Sequence, residues 1–329
     1  MESDKRTSIL RIIAAIGIAG VYALLCYALV DWARPDTGFV SISFALIQPA
    51  AISAFVCYVA DPLAGRRRRF YLLVPLWLFI GMIVIAAFLL QEGAVCIAML
   101  APVWLISGLL GAHLAFRLRK RDQVDEAAVF LSPAILALPL VLMPIEAALP
   151  VPEATYSVRR EIIIDASADL VWPLMEGIPD VHEDEGRWNV TQDLLGVPRP
   201  LSARLSGKGP GSIRFASWEH DVAFREIVTQ WLPGRKIHWR FDFDGSEGWE
   251  FTDRHLRPDS TYLQVLDGGY TLSPLPNGKH LLTLETRYIA RTPFNSYASL
   301  WGELFLGDLE MNLLEMIRAR AERAAARES

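Results

Sequence analysis

The 329 residues are 52% apolar and carry a net charge of −5, with a mean hydropathy of +0.27, but these averages conceal two unlike halves. Up to Pro150 there are 12 Lys/Arg against 10 Asp/Glu, and beyond it 20 against 27, a balance of −7. So acidic a second half excludes a nucleic-acid surface, which needs clustered basic charge; with all three cysteines (Cys26, Cys57, Cys96) in the first half, it also excludes a disulfide framework or a CxxC metal site there.

The first half is a series of apolar runs. A helix needs about 20 apolar residues to cross a hydrocarbon core of about 30 Å, and five stretches meet that length: 9–30, 39–60, 70–90, 94–116 and 127–149. The first follows a basic start, as a signal peptide would, yet no small-x-small cleavage site precedes Asp31, so it reads as an uncleaved anchor. The fifth is interrupted by Pro133, Pro139 and Pro144 and has Glu146 near its end, close enough to reach the interface. Membrane helices tolerate proline where neighbours re-satisfy the freed carbonyls.

Loop charge assigns a side. "GRRRR" (65–69) follows the second run and "RLRKR" (117–121) the fourth, whereas the loops after the first and third hold one arginine between them. Short basic loops stay cytoplasmic, which places the N-terminus inside and, after five crossings, residues 151–329 outside; were the fifth run only re-entrant, the side would reverse. The arginines can also attract anionic headgroups, but the positive-inside signal accounts for them. Arg11, His113 and Glu146 are the charged or basic residues inside the runs, all near ends, and no internal repeat is visible. Nothing there marks a polar pathway, so residues 1–150 read as an anchor.

"LPVPEATYSV" is a proline-bearing linker, after which the periodicity changes and a second domain, 151–329, begins. Residues 159–164 read as a strand; Ser167 follows as a helix N-cap, with Asp169 in the first turn where the helix dipole favours it and Leu170, Val171 and Leu174 on the apolar face. "KIHWRFDF" alternates Ile237, Trp239, Phe241 and Phe243 with Lys236, His238, Arg240 and Asp242, a half-buried strand. Strands at 212–218 and 222–231 are joined by a tight turn, and strands at 261–272 and 279–290 flank "PLPNG", whose Asn277-Gly278 predicts a hairpin. The chain ends in a long helix with Thr292 as N-cap and Pro293 at its first position. Tyr297, Leu300, Trp301, Leu304, Met311 and Leu314 supply its helical periodicity, and "RARAERAAARES" reads as a solvated, fraying tail. The expected fold is a membrane α-helical region followed by an α+β domain whose curved antiparallel sheet encloses, with the terminal helix, an apolar cleft of the kind that takes small ligands.

"VRREIIIDASADLVWPLM", "GPGSIRF" and "VAFREIVTQWLPGRKIHWRF", with the terminal helix carrying Trp301, resemble the START-like superfamily of helix-grip domains (SRPBCC, also called the polyketide cyclase/lipid transport or Bet v 1-like superfamily) over residues 156–322. The resemblance implies a hydrophobic ligand, often a lipid or sterol, under the long helix, with catalysis in some branches. Residues 253–304 are similar to a bacterial subgroup with N-terminal membrane spans, which implies a multi-pass protein of a bacterial inner membrane with its C-terminal domain periplasmic or extracellular.

Candidate wall residues are Trp188, Trp218, Phe224, Trp231, Trp239, Tyr270, Tyr288 and Trp301, although a domain of this size also needs aromatics to fill its core. Arg214 and Glu226 lie on neighbouring strands and can pair across them, inside a cavity or on the surface. "VHEDEGRW" gathers His182, Glu183, Asp184 and Glu185, but adjacent residues rarely converge on one ion and no second histidine is spaced for it; it reads as a solvated acidic loop, and no metal or cofactor is expected. "GKGPG" (207–211) lacks the GK[ST] ending of a phosphate loop and reads as a turn. Asp253 and His255 in "FTDRH" alternate on a possible strand and are the candidate acid/base pair. The sequence therefore points to membrane-anchored binding or transfer of a lipid or other hydrophobic small molecule. The alternatives are a cyclase or hydrolase using Asp253 and His255, and a sensor or assembly factor whose spans bind unidentified membrane partners.

Overall fold

A computed structural model of the chain describes residues 2–33, 41–61, 65–121, 127–182, 184–243 and 257–328. It divides into two compact units, Met1–Val151 and Pro152–Ser329.

The first unit consists of α1 (Glu2–Ala33), a π-helical turn (Ser43–Ile47) running into α2 (Gln48–Ala60), α3 (Arg68–Phe88), α4 (Ala94–Arg121) and α5 (Ala127–Ala147). Among the described residues, four segments are long and apolar enough to cross a membrane: Ile9–Trp32, Ser43–Ala60, Arg68–Phe88 and Ala94–Arg119; in α5 the stretch Ala134–Ala147 is a shorter apolar helix. The second of the four is the enclosed one, buried over two-thirds of its length. Small residues allow this: a Cβ on Gly111 of α4 would stand 2.0 Å from the Ala50 carbonyl oxygen of α2, and one on Gly108 2.9 Å from Ser53 Oγ, the close backbone approach that packs helices where lipid offers no hydrophobic drive.

Helix α5 runs through Pro133, Pro139 and Pro144 without a break and lies antiparallel to α2. Near its start Ile135 packs on the cluster of Cys57, Tyr71, Ala112 and Ala115; near its end Met143 packs with Val30, Phe44 and Trp104. Glu146 accepts a hydrogen bond from the Ser43 backbone N–H at 2.9 Å, so it caps the start of the second helix. At the opposite end of α2 the buried Asp61 accepts from Gly65 N (2.9 Å), Arg66 N (3.0 Å) and Tyr71 Oη (2.8 Å), fixing the arginine loop to the bundle.

The second unit is β1 (Glu153–Ile164), α6 (Ala168–Glu176), a π-helical turn (Val190–Leu194), β2 (Pro200–Ser206), β3 (Ile213–Trp218), β4 (Ala223–Leu232), β5 (Lys236–Asp242), β6 (Leu263–Pro274), β7 (His280–Arg291) and α7 (Asn295–Glu328). The strands form one antiparallel sheet ordered β1-β7-β6-β5-β4-β3-β2. Alternation located β3 to β7 within a few residues; β1 starts earlier than the sequence suggested, and edge strand β2 was not anticipated. Ser167 holds the N-cap position of α6, though its side chain makes no capping bond. The β6–β7 hairpin turns at Gly278 (φ +81°), a left-handed conformation in which glycine has no Cβ penalty.

Helix α7 begins after a turn in which Thr292 Oγ1 accepts from Phe294 N at 3.1 Å, two residues beyond Pro293. Its buried residues are Gly307, Glu310, Asn312, Leu314, Met316, Ile317 and Ala321; of the expected stripe Leu314 is among them, whereas Leu300 is 67% exposed. Nor does the tail fray. Ala321 is fully buried, and Arg320 donates to Glu185 Oε2 (2.9 Å) and to the carbonyls of Pro179 (2.8 Å) and Asp180 (2.9 Å). Glu185 is thereby a half-buried partner of α7, whereas His182 and Asp184 are exposed as expected of a solvated loop; Glu183 lies outside the described residues.

Both edges of the sheet are fastened to this helix. On the β1/β7 side the Tyr288 hydroxyl sits where a Cβ on Gly302 would be, and the Arg160 guanidinium where one on Gly307 would be. On the β2 side, Ala203 N donates to Ile178 O (2.7 Å) and Val181 N to Leu201 O (2.8 Å), joining β2 to the segment that Arg320 holds. Seven flat strands at about 4.8 Å spacing would set the edges about 29 Å apart, far more than a helix diameter of about 10 Å. The sheet therefore curls, helped by bulges in β2, β4 and β6, which raise local twist. This is the helix-grip arrangement. The core it closes joins Ile162, Val171, Met175, Ile237, Leu282, Leu314 and Ile317.

Candidate functional site

The inner face of β3, β4, β5 and β6 brings four of the sequence candidates together. Register pairs Arg214 with Glu226, and their side chains form a hydrogen-bonded ion pair with both partners about 95% buried. Arg214 also donates from Nε to the Glu176 carbonyl, the last of α6, at 3.2 Å. Its Cζ lies 5.2 Å from the ring centroid of Trp239 and 6.0 Å from that of Tyr270, and the two rings meet edge to face at 5.4 Å. The guanidinium is thus flanked by aromatic faces, which favour a cation. Burial raises the Glu226 carboxyl and the adjoining guanidinium opposes that rise; burial likewise pushes the Tyr270 phenol up to about 12.

A fifth member comes from the helix. Glu310 sits in the buried seam of α7, 2% exposed, and neither of its carboxyl oxygens makes a hydrogen bond of normal geometry among the described residues, although the Thr286 hydroxyl lies close enough to act on it; Trp239 Nε1 also has no partner among them. Burial pushes Glu310 up to about 8, opposed by the Thr286 hydroxyl and the Arg160 guanidinium, so at neutral pH it is mostly protonated. Trp239 on β5 and Thr286 on β7 are the two cross-strand partners of Gly268 on β6. Gly268 presents no side chain between them, and the Phe241 ring leans over it, 3.4 Å from where a Cβ would be. The surroundings of Trp239 and Tyr270 are apolar core, and Trp239 Nε1 and the Glu310 carboxyl are buried there without partners among the described residues.

The remaining candidates lie elsewhere. Phe224 and Trp218 join Phe241 and Phe243 in an aromatic cluster around Ala216 and Val222. Tyr288 stacks on Tyr156 at 5.6 Å with its hydroxyl against Gly302. Trp231 packs on Trp172 at 5.3 Å. Trp188 is 67% exposed. Trp301 meets Tyr297 edge to face (6.3 Å) and Phe305 at a tilt (5.4 Å) along α7, nine residues before Glu310 and so half a turn round from it at 3.6 residues per turn. Asp253 and His255 lie outside the described residues. Glu310 escapes sequence reading because the apolar stripe Tyr297, Leu300, Trp301, Leu304, Met311 and Leu314 meets the fully buried seam only at Leu314; an acidic residue at the spacing of Leu314, Ile317 and Ala321 is the available signal. Among the described residues no group of His, Cys, Asp or Glu could hold a metal ion.

A second polar system holds the loop before β2 onto α7. Asn312 Oδ1 accepts from Arg187 N (2.8 Å) and its Nδ2 donates to Gln192 Oε1 (2.8 Å); Asn189 Nδ2 donates to the same oxygen (3.0 Å), and Gln192 Nε2 donates to Pro198 O (3.0 Å). One turn earlier on α7, Asp308 accepts from Thr191 N (3.0 Å) and Oγ1 (2.7 Å). Unlike the inner cluster, these groups are well matched.

No family model matches the chain, and no curated protein matches it. Solved structures similar to it cover about half of its length. They include norcoclaurine synthase from Thalictrum flavum (16% identity, 54% of this chain and 99% of that one, TM-score 0.33) and the Zhui aromatase/cyclase from Streptomyces sp. R1128 (14%, 54% and 97%, 0.32). A START superfamily protein from Mycobacterium smegmatis is similar at 12% identity, over 51% of this chain and 98% of that one, with a TM-score of 0.32.

Proposed function

We propose that residues 152–329 form a binding cup for a hydrophobic small molecule, a lipid or a compound of similar polarity, and that residues 1–151 anchor the cup to a membrane. The observation that carries this reading is the combination of Trp239 Nε1 and the Glu310 carboxyl, buried without partners in an apolar interior. Leaving such groups unpaired costs about 1 to 3 kcal/mol each, a penalty that a bound molecule removes. Anchoring has a physical rationale, since a hydrophobic ligand dissolves poorly in water and a cup beside the bilayer exchanges it over a short path. The four apolar segments support the anchor, and the antiparallel course of α5 beside α2 supports a fifth crossing with the cup opposite the arginine loops.

Purification of the full chain in detergent, organic extraction and mass spectrometry test the cup. An apolar species in near-stoichiometric amount, depleted by Tyr270→Ala, is expected. Absence of any such species, together with no saturable uptake of a hydrophobic dye, overturns the reading. A second reading, acid catalysis on the bound molecule, has one observation in its favour: a carboxyl raised to about 8 is matched to proton donation near neutral pH. It predicts that Glu310→Gln abolishes turnover while ligand is retained.

A further inference from the structure

The unpartnered groups also describe what the guest must offer. Trp239 Nε1 is a donor only and therefore needs an acceptor. The Glu310 carboxyl, held protonated at neutral pH by its burial, has one O–H to donate and one oxygen to accept with. Trp239 and Thr286, whose hydroxyl acts on Glu310, are the cross-strand neighbours of Gly268 on its two sides, and the Phe241 ring leans over that glycine as an apolar plate. Arg214, which flanks Trp239, is already matched by Glu226, and Arg160, the cation acting on Glu310, by Glu303, so an anionic headgroup entering here would bring an uncompensated charge into a dry interior, which is costly. A pure hydrocarbon would leave both polar groups orphaned. Resting on the binding-cup reading, the geometry points to a ligand whose apolar body carries a neutral oxygen function, a hydroxyl or a carbonyl, seated beside the Phe241 ring and hydrogen-bonded by Trp239 and Glu310.

The test uses the full chain in detergent micelles, titrated with hexadecanol, hexadecanone, hexadecane and palmitate and read by native mass spectrometry. Hexadecanol and hexadecanone are expected to bind about tenfold tighter than hexadecane, the effect of one net hydrogen bond, and tighter than palmitate. Trp239→Phe and Glu310→Leu are each expected to lower the affinity for the alcohol about tenfold and to leave that for the alkane unchanged. Thermal melting of both variants separates this from unfolding: Glu310→Leu, which removes an unpaired buried carboxyl, melts no lower than the parent. Equal affinities for all four probes, or a preference for palmitate, overturn the inference while leaving the cup in place; water then serves the two orphaned groups. Binding of none of the four overturns the cup as well.

Discussion

Glu310 has a thermodynamic signature that can be measured without any ligand. Its carboxyl is raised by burial from the usual 4.5 to about 8, with Thr286, Arg160, Glu303 and Glu285 as the groups acting on it. Below pH 4.5 the folded and unfolded states are both protonated and the residue is neutral to stability. As pH rises toward 8 the unfolded chain releases its proton and the folded one keeps it, so stability falls across that window, by about 3 kcal/mol at pH 7. Glu310→Leu is therefore expected to raise the melting temperature at pH 7 and to flatten its decline between pH 5 and 8; an unchanged pH profile shows that the carboxyl titrates normally. The Arg214–Glu226 pair behaves in the opposite sense. Arg214→Met strands a buried carboxylate and is expected to cost about 3 to 5 kcal/mol in denaturant unfolding, whereas the double variant Arg214→Met/Glu226→Leu recovers most of that loss. A double variant as weak as the single one shows that the pair itself stabilises the fold.

Among the elements, the loop before β2 depends on α7 for its shape. Asn312 is 1% exposed and satisfies both Arg187 N and Gln192, while Gly186 (φ +90°) has no room for a side chain, since a Cβ there would lie 2.1 Å from Asn312 Oδ1. Asn312→Ala leaves the Arg187 N–H and the Gln192 side chain short of partners, which costs about 1 to 3 kcal/mol. The expected readout is local: amide exchange accelerates through 186–194 and stays unchanged in the β6–β7 hairpin, and uniform acceleration would refute a local latch. This loop also marks where sequence reading stops. Strands β3 to β7 were legible because period-two alternation and Asn277-Gly278 are properties of short stretches. The short edge strand β2, "PLSARLS", has little alternation to read. The buried seam of α7 was obscured because Tyr297, Trp301 and Phe305 lie on another face with an equally apolar periodicity. The pairing of Arg214 with Glu226 could be anticipated from neighbouring strands, but the isolation of Glu310 could not, since lacking a partner is a property of the whole assembled core.

For the whole molecule, the proposed membrane anchor makes the side that carries residues 152–329 depend on α5. Four crossings return the chain to the side of the N-terminus and a fifth sends residues 152–329 across. Loop charge alone cannot discriminate, because the segment after α4 is basic and "LPVPEATYSV" is nearly uncharged. Packing adds an independent constraint. Ile135 lies with Cys57 and Tyr71, at the end of α2 that leads into the arginine loop, and Glu146 lies at Ser43, at the other end. A re-entrant α5 would bring both its ends to the same end of α2. With the arginine loops cytoplasmic, a protease-cleavable tag after Ser329 is expected to be removed from intact spheroplasts without permeabilisation. A tag at the N-terminus is expected to be cut only after lysis. Protection of the C-terminal tag in intact spheroplasts would sink the fifth crossing and bring the cup to the cytoplasmic leaflet. Glu146→Leu sharpens the test, because it leaves loop charge intact and removes the cap at Ser43: if packing holds α5 across the bilayer, this substitution increases the protected fraction of the C-terminal tag, and if loop charge alone sets topology, the fraction does not move.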